Sequence, residues 1–228
     1  MSDLYYDIVY GIGTSIFWTC SRPLVLHRER SDRQGAFILA ATHLTPFDVP
    51  MLIRHSRRRL DFVSIVEVFR NPFVAWFYGN MNAFPLDRSK PDSPTVRIIL
   101  DRLQRGRAVA MFPEGGIRKM ENSVLSGARM RPGVGRLAQL ANVPIVPAVV
   151  LGAASFSRVS AWLPHRGTRY GVIYGEAISL DPGLEKIEAT RVMEDRLREA
   201  FVELYRELKG GMTGESVDGI SPRKREHD

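Results

Sequence analysis

A histidine and an aspartate five positions apart, His43 and Asp48, are the residues of this sequence best placed to do chemistry. They follow an apolar run at residues 36–41 and flank the pair Thr45-Pro46, which is typical of a helix start. On one continuous helix, a separation of five would put the two side chains on different faces. With His43 in the turn and Asp48 in the first turn of the next helix, the carboxylate can accept the imidazole N–H.

An imidazole held in this way can act as a general base. A free imidazole has a pKa of about 6.5, close to neutral pH, so it can take a proton from a substrate hydroxyl. The carboxylate would fix the tautomer of the ring and stabilise the charged ring that forms. The alternative is structural: Asp48 is then a capping carboxylate at the positive end of the helix dipole, and His43 is a polar turn residue.

The composition excludes several other kinds of site and indicates an anionic partner. The single cysteine, Cys20, rules out an internal disulfide and a four-cysteine metal site, and it suits a reducing compartment. The net charge is +7, and residues 1–180 carry 23 Lys and Arg against 13 Asp and Glu. Such a basic body predicts a polyanionic partner: nucleic acid, an acidic membrane surface or a phosphorylated substrate.

The N-terminal segment is apolar and aromatic, but no stretch has the length of a clear transmembrane helix. The nearest, residues 4–20, is interrupted by Asp7 and two glycines. Four basic residues follow it: Arg22, His27, Arg28 and Arg30. Aromatic side chains at the headgroup boundary with arginines on lipid phosphates are typical of a membrane-interfacial segment. A helix packed on the protein's own core fits the same residues equally well.

Apolar runs typical of strands alternate with amphipathic helical patterns along the chain. Strands are predicted at residues 37–41, 61–66, 81–86, 108–112, 144–151 and 169–174. Helices are predicted at residues 47–55, 71–77, 93–106, 132–141 and 187–208. This alternation predicts an α/β fold: a single-domain sandwich with a mostly parallel central sheet flanked by helices.

Three parts of the chain are expected to behave differently. Residues 1–30 form the apolar, amphipathic segment at the membrane interface, and residues 31–209 form the folded domain. Residues 210–228 are polar and contain glycine, so we expect a disordered tail.

Polar residues follow three of the predicted strands. His43 follows the first strand, Arg88 follows the third, and Glu114, Gly115 and Gly116 follow the fourth. Because ligands bind at the carboxyl ends of the strands in such sheets, these residues are expected to converge on one site. Two consecutive glycines there would let backbone N–H groups approach an anion closely.

Four sequence blocks between residues 43 and 147 together resemble the glycerolipid acyltransferase family, whose best-known members make phosphatidic acid from 1-acylglycerol-3-phosphate. The blocks are His43 with Asp48, the run from Gly79 to Arg88, Phe112-Pro113-Glu114-Gly115, and Val143-Pro144-Ile145-Val146-Pro147. They come in the order that the family has. The resemblance implies that residues 31–209 are an acyltransferase domain.

The sequence departs from the family's pattern at two points. Thr42 stands where the family usually has asparagine before the histidine. The third block continues Gly116-Ile117-Arg118-Lys119 instead of Thr-Arg-Ser, so its arginine lies one position further along.

The resemblance also implies roles for individual residues. His43 would be the base and Asp48 the carboxylate that orients it, while Glu114 would accept a hydrogen bond from a glycerol hydroxyl. Arg88 is the first candidate for binding the substrate phosphate, since a guanidinium pairs with phosphate through two hydrogen bonds. The other residues expected to contact the substrate are Gly115, Gly116, Arg118 and Arg131.

The function implied is transfer of a fatty acyl group from acyl-CoA or acyl carrier protein to the free hydroxyl of a lysophospholipid, with 1-acylglycerol-3-phosphate as the favoured acceptor. No cofactor or metal ion is implied, and the enzyme would lie on the cytoplasmic face of a membrane as a peripheral or monotopic protein. The acceptor could instead be another lyso-lipid or glycerol-3-phosphate. A non-catalytic module that binds anions or lipid is the alternative from another class. No nucleic-acid partner is expected, because the arginines are not interleaved with aromatic residues.

Overall fold

The fold is a mixed sheet with helices on both faces, in a computed structural model that describes residues 3–65, 75–76, 79–86 and 94–214. The strands of the described part are β1 (Ser21–Leu26), β2 (Phe37–Ala41), β3 (Leu60–Ile65), β4 (Phe84–Leu86), β5 (Ala108–Met111), β6 (Ile145–Leu151) and β7 (Thr168–Tyr174). The α-helices of the same residues are α1 (Asp3–Cys20), α2 (Asp48–His55), α3 (Pro94–Gln104), α4 (Val134–Ala141) and α5 (Lys186–Thr213). The predicted α/β sandwich with a mostly parallel sheet is confirmed.

The strand order brings the carboxyl ends of the central strands to one edge of the sheet. The order is β1-β7-β6-β2-β5-β3-β4, and every neighbouring pair is parallel except β6 and β7. Strands β2, β5 and β6 therefore end side by side, while β7 and β1 run the other way and begin at that edge. The loops after β2 and β5 meet there, which is where this class of sheet places its ligands.

Strand β2 is central because it is apolar on both faces. Its five residues, Phe37–Ala41, are all buried. Phe37 and Leu39 pack with the cluster that includes α1 and α2, while Ile38 and Ala40 pack with the cluster on the side of α3, α4 and α5. A strand buried on both faces is typical of a parallel sheet covered by helices on either side.

The N-terminal segment is a helix that packs on the domain and still leaves an apolar stripe uncovered. Tyr6, Phe17 and Cys20 of α1 are buried. The opposite side of the helix exposes four aliphatic side chains at a spacing of four residues: Leu4, Ile8, Ile12 and Ile16. In the described part of the chain, no helix combines the length and apolar character that crossing a membrane requires. The packing of α1 on the core is thus observed, while the membrane-interfacial role of the segment stays a prediction.

Two boundaries differ from the sequence-based predictions. Strand β1 (Ser21–Leu26) pairs with β7 along its whole length, so part of residues 1–30 belongs to the central sheet. Helix α5 continues to Thr213, so the prediction of a disordered tail from residue 210 is wrong for its first four residues. The helix carries on because Leu204 and Leu208 keep its apolar face on the sheet up to Gly210, which is itself buried. Residues 215–228 lie outside the described residues.

Candidate active site

The imidazole of His43 and the carboxylate of Asp48 lie within hydrogen-bonding distance at the carboxyl edge of the sheet. His43 is in the loop after β2, Asp48 is the first residue of α2, and His43 Nδ1 is 3.1 Å from Asp48 Oδ2. The backbone N–H groups of Leu44 and Thr45 also donate to Oδ2, over 2.7 and 2.8 Å. Asp48 is only 1% exposed, so the carboxylate is held firmly by these donors.

These contacts determine which ring nitrogen is available for chemistry. A carboxylate accepts hydrogen bonds and cannot donate, so the proton between His43 and Asp48 belongs to Nδ1. The lone pair of the neutral ring is then on Nε2. The side chain of His43 is 13% exposed, and the ring lines a cavity described below. The arrangement can therefore take a proton from a group bound in that cavity.

The start of α2 differs in detail from the predicted cap at Thr45 and Pro46. The helix begins at Asp48, and the Thr45 hydroxyl accepts the backbone N–H of Phe47 over 3.0 Å. The same hydroxyl donates to Asp48 Oδ1 over 3.3 Å. Thr45 thus helps to hold the carboxylate instead of capping the first helical turn.

The ring of His43 stacks on Phe112. The two ring centroids are 3.9 Å apart and the ring planes differ by 12°. Phe112 follows β5, and its stacked ring limits rotation of the imidazole while leaving the ring edge with Nε2 free. The sequence marked Phe112 only as the first residue of a motif, so this role was not predicted.

Glu114 joins the loop that carries His43 to a second loop. Its buried carboxylate accepts the backbone N–H of His43 through Oε2 and that of Val124 through Oε1, each over 2.8 Å. The carboxylate thus faces backbone donors, and the cavity is lined by the neighbouring glycines instead. The glycerol hydroxyl that was predicted to donate to Glu114 would have to reach a carboxylate that is only 2% exposed and lies outside the cavity lining.

Two arginines lie beside the histidine, and neither has an acidic partner among the described residues. The backbone N–H of Arg118 donates to the carbonyl of His43 over 2.8 Å, and the guanidinium of the same residue donates to the carbonyl of Glu114 over 3.0 Å. Arg131 lies across Gly115, where a Cβ atom would overlap its Cδ and Nε. Within the described ranges neither guanidinium pairs with a carboxylate, and both line the cavity. Gly115, with φ of 73°, can be replaced only at a cost in backbone strain as well as space.

The cavity has a volume of about 1050 Å³ and is apolar over most of its wall. Its apolar lining comes from α1, α2, β3, α3 and α4, and includes Val9, Phe17, Phe47, Ile53, Phe62, Val96, Ile99 and Leu137. Next to His43 the lining changes to Gly115, Gly116, Arg118 and Arg131. A cavity of this size, mostly apolar and with two arginines beside the histidine, suits an amphiphilic molecule with long apolar chains and an anionic group.

The structure brings together the seven expected site residues that it describes. His43, Gly115, Gly116, Arg118 and Arg131 line the same cavity, and Asp48 and Glu114 hold its loops in place. Arg88 lies outside the described residues. Over residues 3–65, 75–76, 79–86 and 94–214, no group of three or more His, Cys, Asp or Glu side chains is arranged to hold a metal ion.

A buried polar cluster lies at the far end of the cavity, under α2. Arg54, which lines the cavity, donates through Nη1 to the Tyr170 hydroxyl over 2.9 Å, and His55 Nε2 is 2.8 Å from that hydroxyl. Because Arg54 donates to the phenol oxygen, the phenol proton faces His55, whose Nε2 accepts it. Burial, helped by the charges of Arg54 and Arg28, lowers the pKa of His55 to about 3.

The low pKa of His55 predicts that acid destabilises the protein. Below about pH 6.5 the unfolded chain binds a proton at this histidine and the folded protein does not. The contribution of neutral His55 to the free energy of unfolding is therefore complete above about pH 6.5. Between pH 6.5 and pH 5, the free energy of unfolding should fall by up to about 1.4 kcal/mol for each unit by which the pH is lowered. Denaturant titrations at several pH values would measure this, and His55→Gln should show a shallower slope. His165→Asn, at an exposed histidine, is the matched control; equal slopes in all three proteins would contradict the prediction.

Comparisons with known proteins relate this chain to acyltransferases. A family model described as Acyltransferase matches residues 23–151. The 1-acyl-sn-glycerol-3-phosphate acyltransferase of Bacillus subtilis is 28% identical over 132 residues, which are 58% of this chain and 63% of that protein. The Streptococcus pneumoniae protein of the same name is 26% identical over 153 residues, 65% of this chain and 55% of that one. The match thus spans less than two thirds of the length of either relative.

The fold is also similar to a solved structure. The crystal structure of the 1-acyl-sn-glycerophosphate acyltransferase PlsC from Thermotoga maritima superposes with a TM-score of 0.65, covering 88% of this chain and 79% of that one, at 19% sequence identity. The family match takes in more than half of the present chain, including the dyad of His43 and Asp48 and the Phe112–Gly115 block. The chain belongs to the acyltransferase family.

Proposed function

We propose that the protein is an O-acyltransferase that moves a fatty acyl group from a thioester to the free hydroxyl of a lysophospholipid. The favoured acceptor is 1-acylglycerol-3-phosphate, which would give phosphatidic acid. The observation that carries this proposal is a histidine oriented by a buried carboxylate, beside two arginines that line the same cavity of about 1050 Å³. The names of the Bacillus and Streptococcus relatives support the choice of acceptor.

The chemistry follows from the orientation of the dyad. Nε2 of His43 takes the proton of the acceptor hydroxyl while its oxygen attacks the carbonyl carbon of the thioester. The tetrahedral intermediate then loses the thiolate as the carbon–sulfur bond breaks, and the imidazolium returns the proton to the sulfur. Asp48 stabilises the imidazolium throughout, as the acid does in a serine-protease triad. Since the hydroxyl of the lipid is the nucleophile, no acyl-enzyme forms, and the activated thioester makes a cofactor unnecessary.

The phosphate of the acceptor would bind at Arg118 and Arg131. These guanidinium groups lie beside the histidine and have no carboxylate partner in the described part of the chain. Guanidinium groups bind phosphate through paired hydrogen bonds, so the two arginines suit this ligand. Arg88 remains a further candidate for the same role. The acyl chains would occupy the apolar remainder of the cavity.

The acyl donor would be acyl-CoA or acyl carrier protein, and the reaction would take place at the cytoplasmic face of a membrane. The acceptor is a membrane lipid, so the enzyme must reach it at the bilayer surface. The exposed apolar stripe of α1 supports a peripheral or monotopic location, because aliphatic side chains along one side of a surface helix insert at the headgroup boundary.

The phosphate site predicts how a panel of acceptors will respond to substitution. Arg131→Ala should raise the KM for 1-acylglycerol-3-phosphate by about tenfold or more, since a hydrogen bond to a charged group contributes about 1.5–3 kcal/mol. With 1-acylglycerol, which lacks the phosphate, the variant should match wild type. Thiol release from acyl-CoA, with mass analysis of the lipid product, measures both.

Arg129→Ala is the matched control, because Arg129 is exposed, lies two positions away and is not part of the cavity wall. It should leave both KM values unchanged. If wild type prefers a lyso-aminolipid or another acceptor without a phosphate, and Arg131→Ala has no effect, the proposed acceptor is wrong and a different lyso-lipid is the substrate.

A further inference from the structure

Exposed apolar side chains continue from α1 onto the turn between β6 and β7. This turn, Arg158–Arg166 and called the 158–166 turn below, begins with a short 3-10 helix. Val159 is 84% exposed and Leu163 55%, and Trp18 near the end of α1 is 78% exposed. Aliphatic and aromatic side chains are thus presented to solvent by two separate elements that lie next to each other.

The fold places both elements at the edge of the sheet that carries the active site. Strand β7 runs antiparallel to β6 and β1 runs parallel to β7, so the 158–166 turn and the end of α1 lie at the carboxyl edge of β6. The backbone N–H of His165 donates to the carbonyl of Thr19 over 2.8 Å, which fastens the turn to α1. The apolar side chains of the turn are therefore on the same edge of the molecule as His43.

Three arginines frame this surface and have no acidic partner among the described residues. They are Arg22, Arg158 and Arg166, all exposed. Two neighbouring arginines instead bind groups of the protein itself: Arg30 pairs with Glu176 over 2.8 Å, and Arg28 donates to the carbonyl of His55 over 2.9 Å. Arg22, Arg158 and Arg166 thus place positive charge beside the exposed apolar side chains of the turn and of α1.

We propose that the 158–166 turn, together with Trp18 and Arg22, is a docking surface for a bilayer containing anionic phospholipid. Aliphatic side chains and tryptophan enter the headgroup boundary, and the arginines bind the lipid phosphates. Trp162 links this surface to the cavity, because its ring lies 5.2 Å from Phe17 and 6.0 Å from Phe47, which both line the cavity wall. Docking here would hold the cavity against the bilayer that contains the acceptor.

This inference rests on the membrane location in the proposed function, but it is tested by binding without turnover. The full chain is mixed with vesicles of phosphatidylcholine, with or without phosphatidylglycerol, and bound protein is measured by flotation. Arg158→Gln with Arg166→Gln should weaken binding to the anionic vesicles by roughly fivefold per arginine, with little change on neutral vesicles. Val159→Ser with Leu163→Ser should weaken binding to both by roughly tenfold or more.

Matched controls come from α5, on the other face of the sheet. Arg191→Gln with Arg206→Gln removes two exposed arginines, and Ile187→Ser removes a side chain as exposed as Val159, at 84%. All controls should bind as wild type does, and the turn variants should keep wild-type turnover of acceptor dispersed in detergent. The inference would be overturned if both turn variants bound vesicles as wild type does. It would also be overturned if these variants lost self-association instead of vesicle binding. Absence of turnover in wild type would instead refute the proposed function and leave the binding result intact.

Discussion

Replacing His43 with alanine is expected to lower kcat by about 10²- to 10⁴-fold while the protein stays folded. The alanine variant lacks the Nε2 atom that would take the proton of the acceptor hydroxyl. The backbone of residue 43 keeps its hydrogen bonds to Glu114 and Arg118 in the variant, so the loop should hold its position. Thiol release from acyl-CoA in the presence of 1-acylglycerol-3-phosphate measures the rate, and circular dichroism checks the fold.

His165→Ala, assayed with acceptor dispersed in detergent so that vesicle docking plays no part, serves as the control for removing a histidine, because His165 is exposed and away from the cavity wall. Asp48→Asn should lower kcat over a similar range, since an amide no longer fixes the Nδ1–H tautomer of the ring. Turnover close to wild type in folded His43→Ala would show that the imidazole is not the base.

Glu114→Gln is expected to lower both the free energy of unfolding and kcat. Each oxygen of this buried carboxylate accepts a backbone N–H, one from His43 and one from Val124. An amide nitrogen in place of either oxygen would point a hydrogen-bond donor at a backbone N–H, which is also a donor. The hydrogen bond to the remaining oxygen would lose the negative charge that strengthens it. Since hydrogen bonds to charged groups contribute about 1.5–3 kcal/mol each, we expect a loss of about 3 kcal/mol or more in denaturant titration.

Kinetics distinguish a role of Glu114 in positioning His43 from direct contact of Glu114 with the acceptor. If Glu114 positions His43, its substitution should lower kcat and leave the KM for the acceptor nearly unchanged. Glu121→Gln, at an exposed glutamate in the same loop region, is the control and should match wild type. A raised KM for the acceptor at wild-type stability would show that the carboxylate binds the glycerol hydroxyl, as the family resemblance implied.

The parts of the fold that the sequence predicted are those that depend on local patterns. Residues 37–41 form a continuous apolar run, and the strand that they predict is β2. The stripe of Met193, Leu197 and Phe201 on α5 repeats at helical spacing, and all three side chains are buried. The proximity of His43 and Asp48 followed in the same way, because one turn and one helix start determine it.

Features that depend on distant partners could not be predicted. Strand β1 contains Arg22 and Pro23, which favour a loop or an edge strand, and its partner β7 lies more than 140 residues further along the chain. The sequence identifies Glu114 as a motif residue but not the direction of its carboxylate, because the Val124 N–H comes from a separate loop. Arg28 and Arg30 are bound to groups far away in the sequence for the same reason.

Arginines 57–59 illustrate the limit of reading charge from sequence. A basic triplet in a turn fits either a lipid-binding patch or a solvated turn. In the structure two of these arginines form half-exposed ion pairs within the protein: Arg57 pairs with Asp32 over 3.3 Å, and Arg59 with Asp7 over 2.7 Å. Arg58 donates to the carbonyls of Arg33, Gly35 and Gly106. Charge composition predicted an anionic partner, but it did not indicate which arginines are available to bind one.

The most direct test of acyl transfer by this protein is the stoichiometry of a single reaction. Wild-type protein is incubated with acyl-CoA or with acyl carrier protein carrying the same chain, with and without 1-acylglycerol-3-phosphate, and free thiol and diacylated lipid are quantified. We predict one phosphatidic acid for each thiol released, and release that depends on the acceptor, for at least one of the two donors. Failure of both donors to release thiol with this acceptor or any other lyso-lipid, from folded protein, would contradict the assignment of His43 and Asp48 to acyl transfer.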